Sequence, residues 1–553
     1  MTDQWSPEER AALSPYFTNL DDPVFALVNL PEVVKGALFA RYSRSPKSLR
    51  RLFLDEFLTD VGRNANRGGV GGPDVAPRVN RGGVGGDVSP PPTFMDTKRA
   101  EELYGRIFFD YGDDSVAQLG GVHLACEGAS NILTKVLEWG RLAAYLEQST
   151  RYIPYDDLVD GRYRYHVPRE LEGDLRAHYV ATLDAMFDTY RALLPIVRQH
   201  LTERFPKDAQ TSDAAYRTSI RAKALDTLRG LLPAATTSNV GIYGTGQAYE
   251  NLLLRMRAHP LREVRDYAEL MLVELRKVIP AFLRRVDLPD RGGVWSAYLD
   301  DTRRATARVA AEILADETPT PRDEVTLVDF DPDGEAKVVA AALYAVSDVP
   351  DDRLLEVAQK MTEAERRAVL DAYVGRRTNR RHRPGRAFER TSYRFDVLAD
   401  YGAFRDLQRH RLLTLEWQRL SPRHGSVMPE AVADAGVEDR WHRALDASAS
   451  LHDAIADAGL VEVAPYAVAM AYRIRFYMDM NAREAMHLIE LRSAPQGHPA
   501  YRRIAQTMHR LIAEGAGHRA LAAAMTFADH SEVALERLEA ERAAERRRGT
   551  LSP

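Results

Sequence analysis

The spacing of apolar residues predicts the same order of elements twice along the chain. Residues 24–42 combine a short apolar run, typical of a β-strand, with a helix rich in small residues, and residues 325–346 have the same order. Longer segments with apolar residues at helical spacing follow on both sides, over residues 125–146 and 401–420. We therefore expect two divergent copies of one α/β (α+β) unit, helix-rich and with a small sheet in each.

Each copy also ends on an apolar segment followed by a helix that carries Arg. Residues 473–480 alternate between apolar and polar side chains, which is typical of a half-buried strand, and a helix follows them. Residues 241–257, GIYGTGQAYENLLLRMR, have the corresponding order in the first copy. Duplication explains this better than two unrelated domains.

Three segments interrupt the pattern. Residues 62–92 are rich in Gly and Pro and contain NRGGVGG twice, so we expect a disordered insertion there. Residues 316–322 have the composition of a linker, and residues 531–553 are expected to form a solvated, charged C-terminal tail. These breaks place the first repeat at 20–290 and the second at 323–530.

The amino-acid composition argues against several classes of protein and of site. The 553 residues carry 75 Lys and Arg against 80 Asp and Glu, a formal net charge of −5, which gives no electrostatic reason to expect a nucleic-acid binder. The single Cys126, which we place on an apolar helix, excludes an intramolecular disulfide and a cysteine-cluster metal site. We find neither a signal-peptide pattern nor an apolar run of membrane-spanning length, so we expect a cytoplasmic protein without membrane contact.

Two polar clusters in the second repeat are candidates for ligand binding. Arg409, His410 and Arg411 follow a predicted helix and offer several donors to a phosphate or to the polar edge of a heteroaromatic ring. Asn481 and Arg483 stand where the alternating strand passes into a helix, a place where backbone amides favour an anion. The alternative for residues 409–411 is a solvated basic patch. The alternative for Asn481 and Arg483 is helix capping with ordinary surface salt bridges.

The second repeat resembles the flavin-dependent thymidylate synthases, whose signature begins with an R-H-R triplet and ends with an N-A-R helix. R-H-R is at 409–411, F-E of the upstream F-E-H motif at 388–389, N-A-R at 481–483 and the closing L-R at 491–492. Thr414 takes the place of the motif's Ser and Glu416 that of its Asn. Ser421-x-Arg423 corresponds to the S-x-R motif, displaced by two residues.

The first repeat resembles the same family at complementary positions. Residues 147–152, EQSTRY, match the family's E-x-S-x-R-Y, whereas residues 139–141, WGR, stand where R-H-R is expected. Arg229 matches the Arg before the family's L-P, Arg255 matches its late Arg, and T-G-Q at 245–247 replaces N-A-R. Neither repeat carries a complete signature.

The resemblance implies a role for each matched residue. The FAD-binding residues it implies are Ser115, Gln118, Glu389, Arg409, His410, Arg411, Glu416, Asn481, Arg483 and His487. The dUMP-binding residues it implies are Arg141, Glu147, Ser149, Arg151, Arg229, Arg255, Ser421, Arg423 and Arg492. His382 is a further candidate for the folate site, and no metal site is expected.

The resemblance also implies an activity and an assembly. It implies an enzyme that converts dUMP to dTMP with FAD as cofactor, and with methylenetetrahydrofolate and NADPH as co-substrates. The alternatives are flavin- and folate-dependent modification of another pyrimidine nucleotide, such as hydroxymethylation, and a non-catalytic relative that binds nucleotide or flavin. Because the family builds its sites between subunits of a homotetramer, we expect a homodimer that forms a pseudo-tetramer of repeats. Each site would then draw flavin ligands from the second repeat and phosphate ligands from the first.

Overall fold

The structure, a computed structural model, describes residues 3–58, 118, 120–318 and 320–550. The predicted insertion at 62–92 and Ser115 lie outside the described residues. The chain divides into two compact units. The first comprises Met1–Glu127, Leu142–Gln148 and Asn239–Thr306, and the second comprises Gly128–Arg141, Ser149–Ser238 and Ala307–Pro553. The second unit therefore contains parts of both sequence repeats.

The first unit is built on a four-stranded antiparallel sheet in the order β1-β2-β4-β3. Its apolar core includes Phe17, Phe25, Leu38 and Tyr42, all buried. The strands are β1 Val24–Leu27, β2 Gly121–Ser130, β3 Ala143–Glu147 and β4 Thr237–Thr245, and the helices are α1 Pro7–Leu13, α2 Glu32–Tyr42 and α3 Leu49–Leu52. Next along the chain come α4 Asn131–Leu137, α5 Gly173–Arg204 and α6 Asp213–Leu228, which belong to the second unit, and α7 Gly246–Arg257, α8 Arg262–Arg276 and α9 Val294–Ile313.

The second unit contains a sheet with the same strand order, β5-β6-β8-β7. Its strands are β5 Val325–Phe330, β6 Ser392–Asp400, β7 Thr414–Trp417 and β8 Arg473–Asn481. Its further helices are α10 Gly334–Tyr344, α11 Asp351–Lys360, α12 Glu363–Val374, α13 Tyr401–Leu407, α14 Glu430–Asp434, α15 Glu438–Asp457, α16 Ala482–Arg492, α17 Pro499–Arg510, α18 Arg519–Ala523 and α19 Leu538–Thr550. The equal topology of the two sheets confirms the predicted α/β duplication.

The period-two pattern gave the correct strand in the second repeat. Every second residue of β8 is buried, among them Ile474, Phe476 and Met478, because successive side chains of a strand point to opposite faces. Asn481 ends the strand and caps α16, since its side chain accepts a hydrogen bond from the Glu484 amide at 2.9 Å. The predicted strand-to-helix junction is confirmed.

The helical prediction over residues 125–146 was wrong for most of that segment. β2 occupies 121–130 and β3 occupies 143–147, and only α4 between them is helical. Cys126 is therefore buried on a strand and not on a helix. A strand buried on both faces has a continuous apolar run that periodicity alone does not separate from a buried helix.

The C-terminal segment packs against the second unit, whereas its composition predicted a solvated tail. Arg542 on α19 donates to the Thr211 hydroxyl at 3.1 Å, and the Ser212 hydroxyl donates to Glu545 at 2.5 Å. Glu536 is buried and paired with Lys223 of α6. Among the described residues, no helix is long and apolar enough to cross a bilayer.

Backbone pairing within the second unit joins equivalent segments of the two repeats. The Ala234 amide donates to the Val468 carbonyl at 2.8 Å, and the Met470 amide donates to the Leu232 carbonyl at 2.9 Å. The helices α4 and α13, which follow equivalent strands of the two repeats, are joined by the Tyr401 hydroxyl on the Asn131 carbonyl at 2.9 Å. These contacts bring the end of α6 next to α13.

Candidate functional site

An ion pair in the second unit anchors an arginine from the first repeat. Arg151, in the loop after β3, donates from Nε and Nη2 to the Asp226 carboxylate of α6 at 2.6 to 2.9 Å. Its Nη1 donates to the Tyr501 hydroxyl of α17 at 3.1 Å. Burial acts to raise the pKa of Asp226, but the charge and hydrogen bonds of Arg151, together with His498 and Arg229, outweigh burial and the pKa is lowered. The pair is therefore ionised.

Asp406 on α13 is the centre of a second group of arginines. Arg409 Nη2 donates to its carboxylate, Arg229 Nη1 lies 3.5 Å from it, and Arg492 Nη1 lies 4.0 Å from it. These charges hold the pKa of Asp406 far below its usual range although burial opposes them. Arg151, Arg229, Arg409 and Arg492 thus face Asp226 and Asp406, and Asp400 is a third carboxyl group beside Arg229, so the arginines outnumber the carboxyl groups by four to three.

Arg229 combines burial with an unused donor. The residue is 4% exposed, and within the described part of the chain its Nη2 is buried and has no hydrogen-bond acceptor. A Cβ atom at Gly402 would lie 2.9 Å from Arg229 Nε and 3.0 Å from Nη2, so glycine allows this close approach. A buried guanidinium with an unsatisfied donor favours an anionic ligand oxygen.

His498, the N-cap residue of α17, lies in the electrostatic field of this cluster. Burial, together with Arg229 and Arg151, lowers the pKa of His498 to about 3. Its imidazole is therefore neutral at physiological pH and adds no further positive charge.

The Arg492 guanidinium lies over the Tyr501 ring, 5.5 Å from its centroid. We call Arg151, Asp226, Arg229, Asp406, Arg409, Arg492, His498 and Tyr501 the arginine cluster.

His410 connects this cluster to the first turn of α16. Arg492 Nε donates to His410 Nε2 at 2.9 Å, and His410 Nδ1 lies 3.1 Å from Glu484 Oε1. Burial and the neighbouring arginines lower the pKa of His410, so the ring is neutral. Burial raises the pKa of Glu484 to about 7, although Arg383, Arg411 and Arg483 oppose it.

The start of α16 also gathers donors from the loop before β6. Arg483 donates to the Pro384 carbonyl at 3.1 Å and to Glu389 Oε1 at 3.2 Å. Arg383 Nη2 lies 2.9 Å from His487 Nδ1, and burial and Arg383 lower the pKa of His487 to about 4. Glu389, His410, Asn481, Arg483 and His487, which the sequence assigned to one ligand, are therefore joined by contacts around α16.

A cation is disfavoured at this place despite a suitable set of ligand atoms. His410, Glu484 and His487 offer one ligand atom each, all within 4.8 Å of one another. Arg383, Arg411 and Arg483 act on the same carboxylate, and His410 Nε2 already accepts from Arg492. The surrounding guanidinium charge favours an anion over a metal ion.

The remaining predicted residues of the second unit lie at the edge of these contacts or away from them. Arg141 donates to the Thr414 hydroxyl at 3.0 Å, and the Ser149 hydroxyl accepts from the Arg151 amide at 3.3 Å. Glu416 is on β7, Ser421 and the exposed Arg423 belong to the turn after it, and Arg411 is exposed beside His410. His382 is exposed and lies 3.0 Å from Asn379.

Three predicted residues belong to the first unit. Gln118 donates to Gln247 at 2.8 Å, Glu147 is buried at the end of β3, and Arg255 is on α7. Ser115 lies outside the described residues. The two sets that come together in the second unit are therefore Arg151 and Arg229 from the first repeat, and Arg409, His410 and Arg492 from the second.

The sequence interpretation missed several members of the site. Asp226 and Asp406 each precede a matched arginine by three residues, a helical spacing that was available as a signal. Glu484 directly follows N-A-R and could have been noticed as the acidic residue of the first helical turn. For His498 and Tyr501 the sequence offered no such local signal.

Comparisons with known proteins identify the family of the chain. The family model described as thymidylate synthase complementing protein matches residues 86–281 and 326–516. A "UPF0159 protein" of Chlamydia muridarum is 39% identical over 542 residues, which covers 97% of this chain and 98% of the relative. A "UPF0159 protein" of Thermoplasma acidophilum is 30% identical over 471 residues, covering 80% and 92% respectively.

A further relative matches a shorter segment. A flavin-dependent thymidylate synthase of Mycobacterium sp. (strain KMS) is 29% identical over 181 residues, 32% of this chain and 67% of the relative. The family model matches once in each repeat that the apolar pattern predicts. The chain therefore belongs to the thymidylate synthase complementing protein family, that of the flavin-dependent thymidylate synthases, and carries the family's unit as two tandem copies.

Proposed function

We propose that the second unit binds FAD and dUMP and converts dUMP to dTMP, with methylenetetrahydrofolate and NADPH as co-substrates. The observation that carries this proposal is the arginine cluster. Arg151 and Arg229 from one repeat and Arg409 and Arg492 from the other meet there, with positive charge in excess and a buried donor of Arg229 unsatisfied. A phosphate group complements both the excess of positive charge and the unsatisfied donor.

The arginine cluster would hold the nucleotide. Arg229 Nη2 donates to a phosphate oxygen, and Arg151 and Arg492 add forked donors that fix its orientation. Asp226 and Asp406 keep these side chains in place before the ligand arrives, because each carboxylate holds at least one guanidinium. Preorganised donors of this kind also stabilise negative charge that develops on a pyrimidine ring.

The donors around α16 fit a flavin dinucleotide. Arg383 and Arg483 supply positive charge for a diphosphate, and the neutral His487 supplies a ring nitrogen for a polar edge. Asn481 fixes the start of α16 beside them. When bound, FAD supplies the hydride for the reduction.

A cysteine nucleophile is not part of the proposal. Cys126 is buried on β2, and burial together with Glu127 raises its thiol pKa, so a thiolate is strongly disfavoured. The remaining alternatives are modification of another pyrimidine nucleotide, such as hydroxymethylation, and a non-catalytic relative that only binds.

Product analysis separates these alternatives. Purified protein is incubated with FAD, NADPH, methylenetetrahydrofolate and dUMP, and the nucleotide product is identified by mass. We expect dTMP, and Arg229→Lys, which keeps the charge and loses the fork, should weaken dUMP binding about tenfold or more. The exposed Arg204→Lys is the matched control and should bind as wild type does.

A different product mass would support the alternative modification, and binding without turnover would support the non-catalytic relative. A growth test adds independent evidence, because only thymidylate synthesis rescues a thymidine-requiring bacterium. Arg409→Ala should lower flavin occupancy, and unchanged occupancy would contradict the assignment of R-H-R to flavin.

The proposal includes a homodimer. α9 has no buried residue although it is 20 residues long. Six large apolar side chains in or directly after it are exposed, namely Val294, Trp295, Tyr298, Val309, Ile313 and Leu314. At roughly 100 Å² each they offer about 600 Å² per copy, close to the about 800 Å² per partner of a standard interface. We propose that a second copy of the chain covers this face.

A further inference from the structure

The contacts of His410 determine which of its ring nitrogens carries the proton. Arg492 Nε lies 2.9 Å from His410 Nε2, and an arginine is a donor only, so Nε2 accepts. The neutral ring therefore carries its proton on Nδ1. Nδ1 lies 3.1 Å from Glu484 Oε1 and donates to it. Both side chains are almost fully buried, at 3% and 4% exposure.

The charged groups that act on these two residues, within the described part of the chain, are mostly arginines, which are donors only. Arg383, Arg411 and Arg483 act on Glu484, and Arg492, His487, Arg409 and Arg411 act on His410. His487 is itself neutral and lies next to Arg383. Glu484 is thus the carboxylate that faces His410 Nδ1 among these groups.

We propose that Glu484 is a positioning residue for nucleotide binding: its carboxylate fixes His410 as the Nδ1–H tautomer, so that Nε2 can hold Arg492 in the arginine cluster. That the ligand is a nucleotide phosphate rests on the proposed function. His410 thus links two residues of α16: its Nδ1 contacts Glu484 in the first turn, and its Nε2 contacts Arg492, the last residue of the helix. Glu484 itself touches neither substrate nor reacting atoms in this role.

The same connection makes nucleotide affinity depend on pH. The pKa of Glu484 is raised to about 7 by burial, so the group is a carboxylate above that pH and a carboxyl below it. If the protonated carboxyl of Glu484 donates to His410 Nδ1, the ring proton must be on Nε2. The Nε2–H and the Arg492 N–H would then be two donors facing each other, and their hydrogen bond is lost. The nucleotide therefore binds better when Glu484 is a carboxylate. Its affinity falls as the pH drops through about 7, the pKa of Glu484.

Three variants and a pH series test the role. dUMP affinity of the purified protein is measured by calorimetry between about pH 6.5 and about 8.5, a range in which wild type should lose about fourfold at the acid end. Glu484→Gln, whose neutral amide oxygen accepts from Nδ1–H more weakly than a carboxylate and does not titrate, should bind more weakly than wild type at the alkaline end and lose most of the pH dependence. Glu484→Leu should bind about tenfold more weakly throughout, because a buried donor loses its charged partner.

The control is Glu250→Gln, which changes a buried glutamate paired with Arg285 in the other unit and should leave the pH profile as in wild type. The phosphate group titrates near pH 6 and contributes equally to every variant, so the difference between wild type and Glu484→Gln isolates the carboxyl. Unchanged affinity in Glu484→Leu, or the same pH profile in Glu484→Gln as in wild type, overturns the proposal.

A ligand-free measurement decides the tautomer independently. In protein with ¹⁵N-labelled histidine, the signals of His410 are assigned by their loss in His410→Gln. We expect the Nδ1–H form at about pH 8.5 in wild type and Glu484→Gln, and its loss in Glu484→Leu. An Nε2–H ring in wild type overturns the inference. If the tautomer is as expected but wild type binds no dUMP, the proposed function fails and the Glu484–His410–Arg492 arrangement stands.

Discussion

Asp226 holds Arg151 in the absence of any ligand, and its removal should be costly. Asp226→Ala leaves a buried guanidinium without its carboxylate, and we expect a loss of about 3–5 kcal/mol in the free energy of unfolding. Because dUMP supplies a replacement anion, it should raise the melting temperature of this variant more than that of wild type. Thermal unfolding with and without dUMP measures both effects.

The matched control lies on the same helix. Asp213→Ala removes an exposed carboxylate that pairs with Lys207 at the start of α6, and it should change stability little. Equal stability of the Asp226 and Asp213 variants, or no extra stabilisation by dUMP, would contradict the role of Asp226 as a resident counter-ion of the cluster.

At the residue scale, the matched motifs identified the arginines and missed their partners. Arg151, Arg229, Arg409 and Arg492 lie far apart in the sequence, and the contacts that join them depend on the pairing of α13 with α4 and on the packing of α17. A motif specifies the residue types that bind a ligand. Asp406 pairs locally with Arg409, three residues later, but the contact of Asp406 with Arg229 and that of Asp226 with Arg151 are tertiary. The family motifs therefore did not identify Asp226 or Asp406 as members of the site.

At the element scale, the junctions that open α16 and α7 offer a matched pair of cap substitutions. The Asn481 side chain accepts from the Glu484 amide at 2.9 Å, and the Thr245 side chain accepts from the Ala248 amide at 3.3 Å. Asn481→Ala and Thr245→Ala should each cost about 1 kcal/mol in the free energy of unfolding, measured by urea denaturation. Only Asn481→Ala should also weaken FAD binding, because α16 carries the proposed flavin donors. Equal FAD affinity of the two variants would contradict that assignment.

Periodicity separated strand from helix at β8, but it failed for β2 and β3 within 125–146 and for β7 within 401–420, which were all predicted as helical. β8 alternates and was predicted correctly, as was the order of strand and helix at β1 with α2 and at β5 with α10. β2 has a nearly continuous buried run, including Leu124, Ala125 and Cys126, and was taken for a helix. Length and turn residues would have been needed to separate the two.

At the scale of the whole molecule, the exposed apolar face of α9 makes the proposed dimer testable. Trp295→Asp combined with Tyr298→Asp places charges on that face and should shift the protein from dimer to monomer, measured by light scattering after size exclusion. Val346→Asp, at a still more exposed apolar residue outside α9, is the control and should remain dimeric. A wild-type monomer, or a dimer unaffected by the α9 changes, would contradict this interface.

The central claim is that two incomplete repeats supply one flavin and nucleotide site per chain, and flavin stoichiometry tests it most directly. N-A-R and R-H-R are present in the second repeat, whereas residues 245–247 and 139–141 replace them in the first. Titration of the purified protein with FAD, followed by absorbance and by mass identification of the released cofactor, should give one FAD per chain. A colourless protein that gains no thermal stability from FAD, or two FAD per chain, would contradict the account.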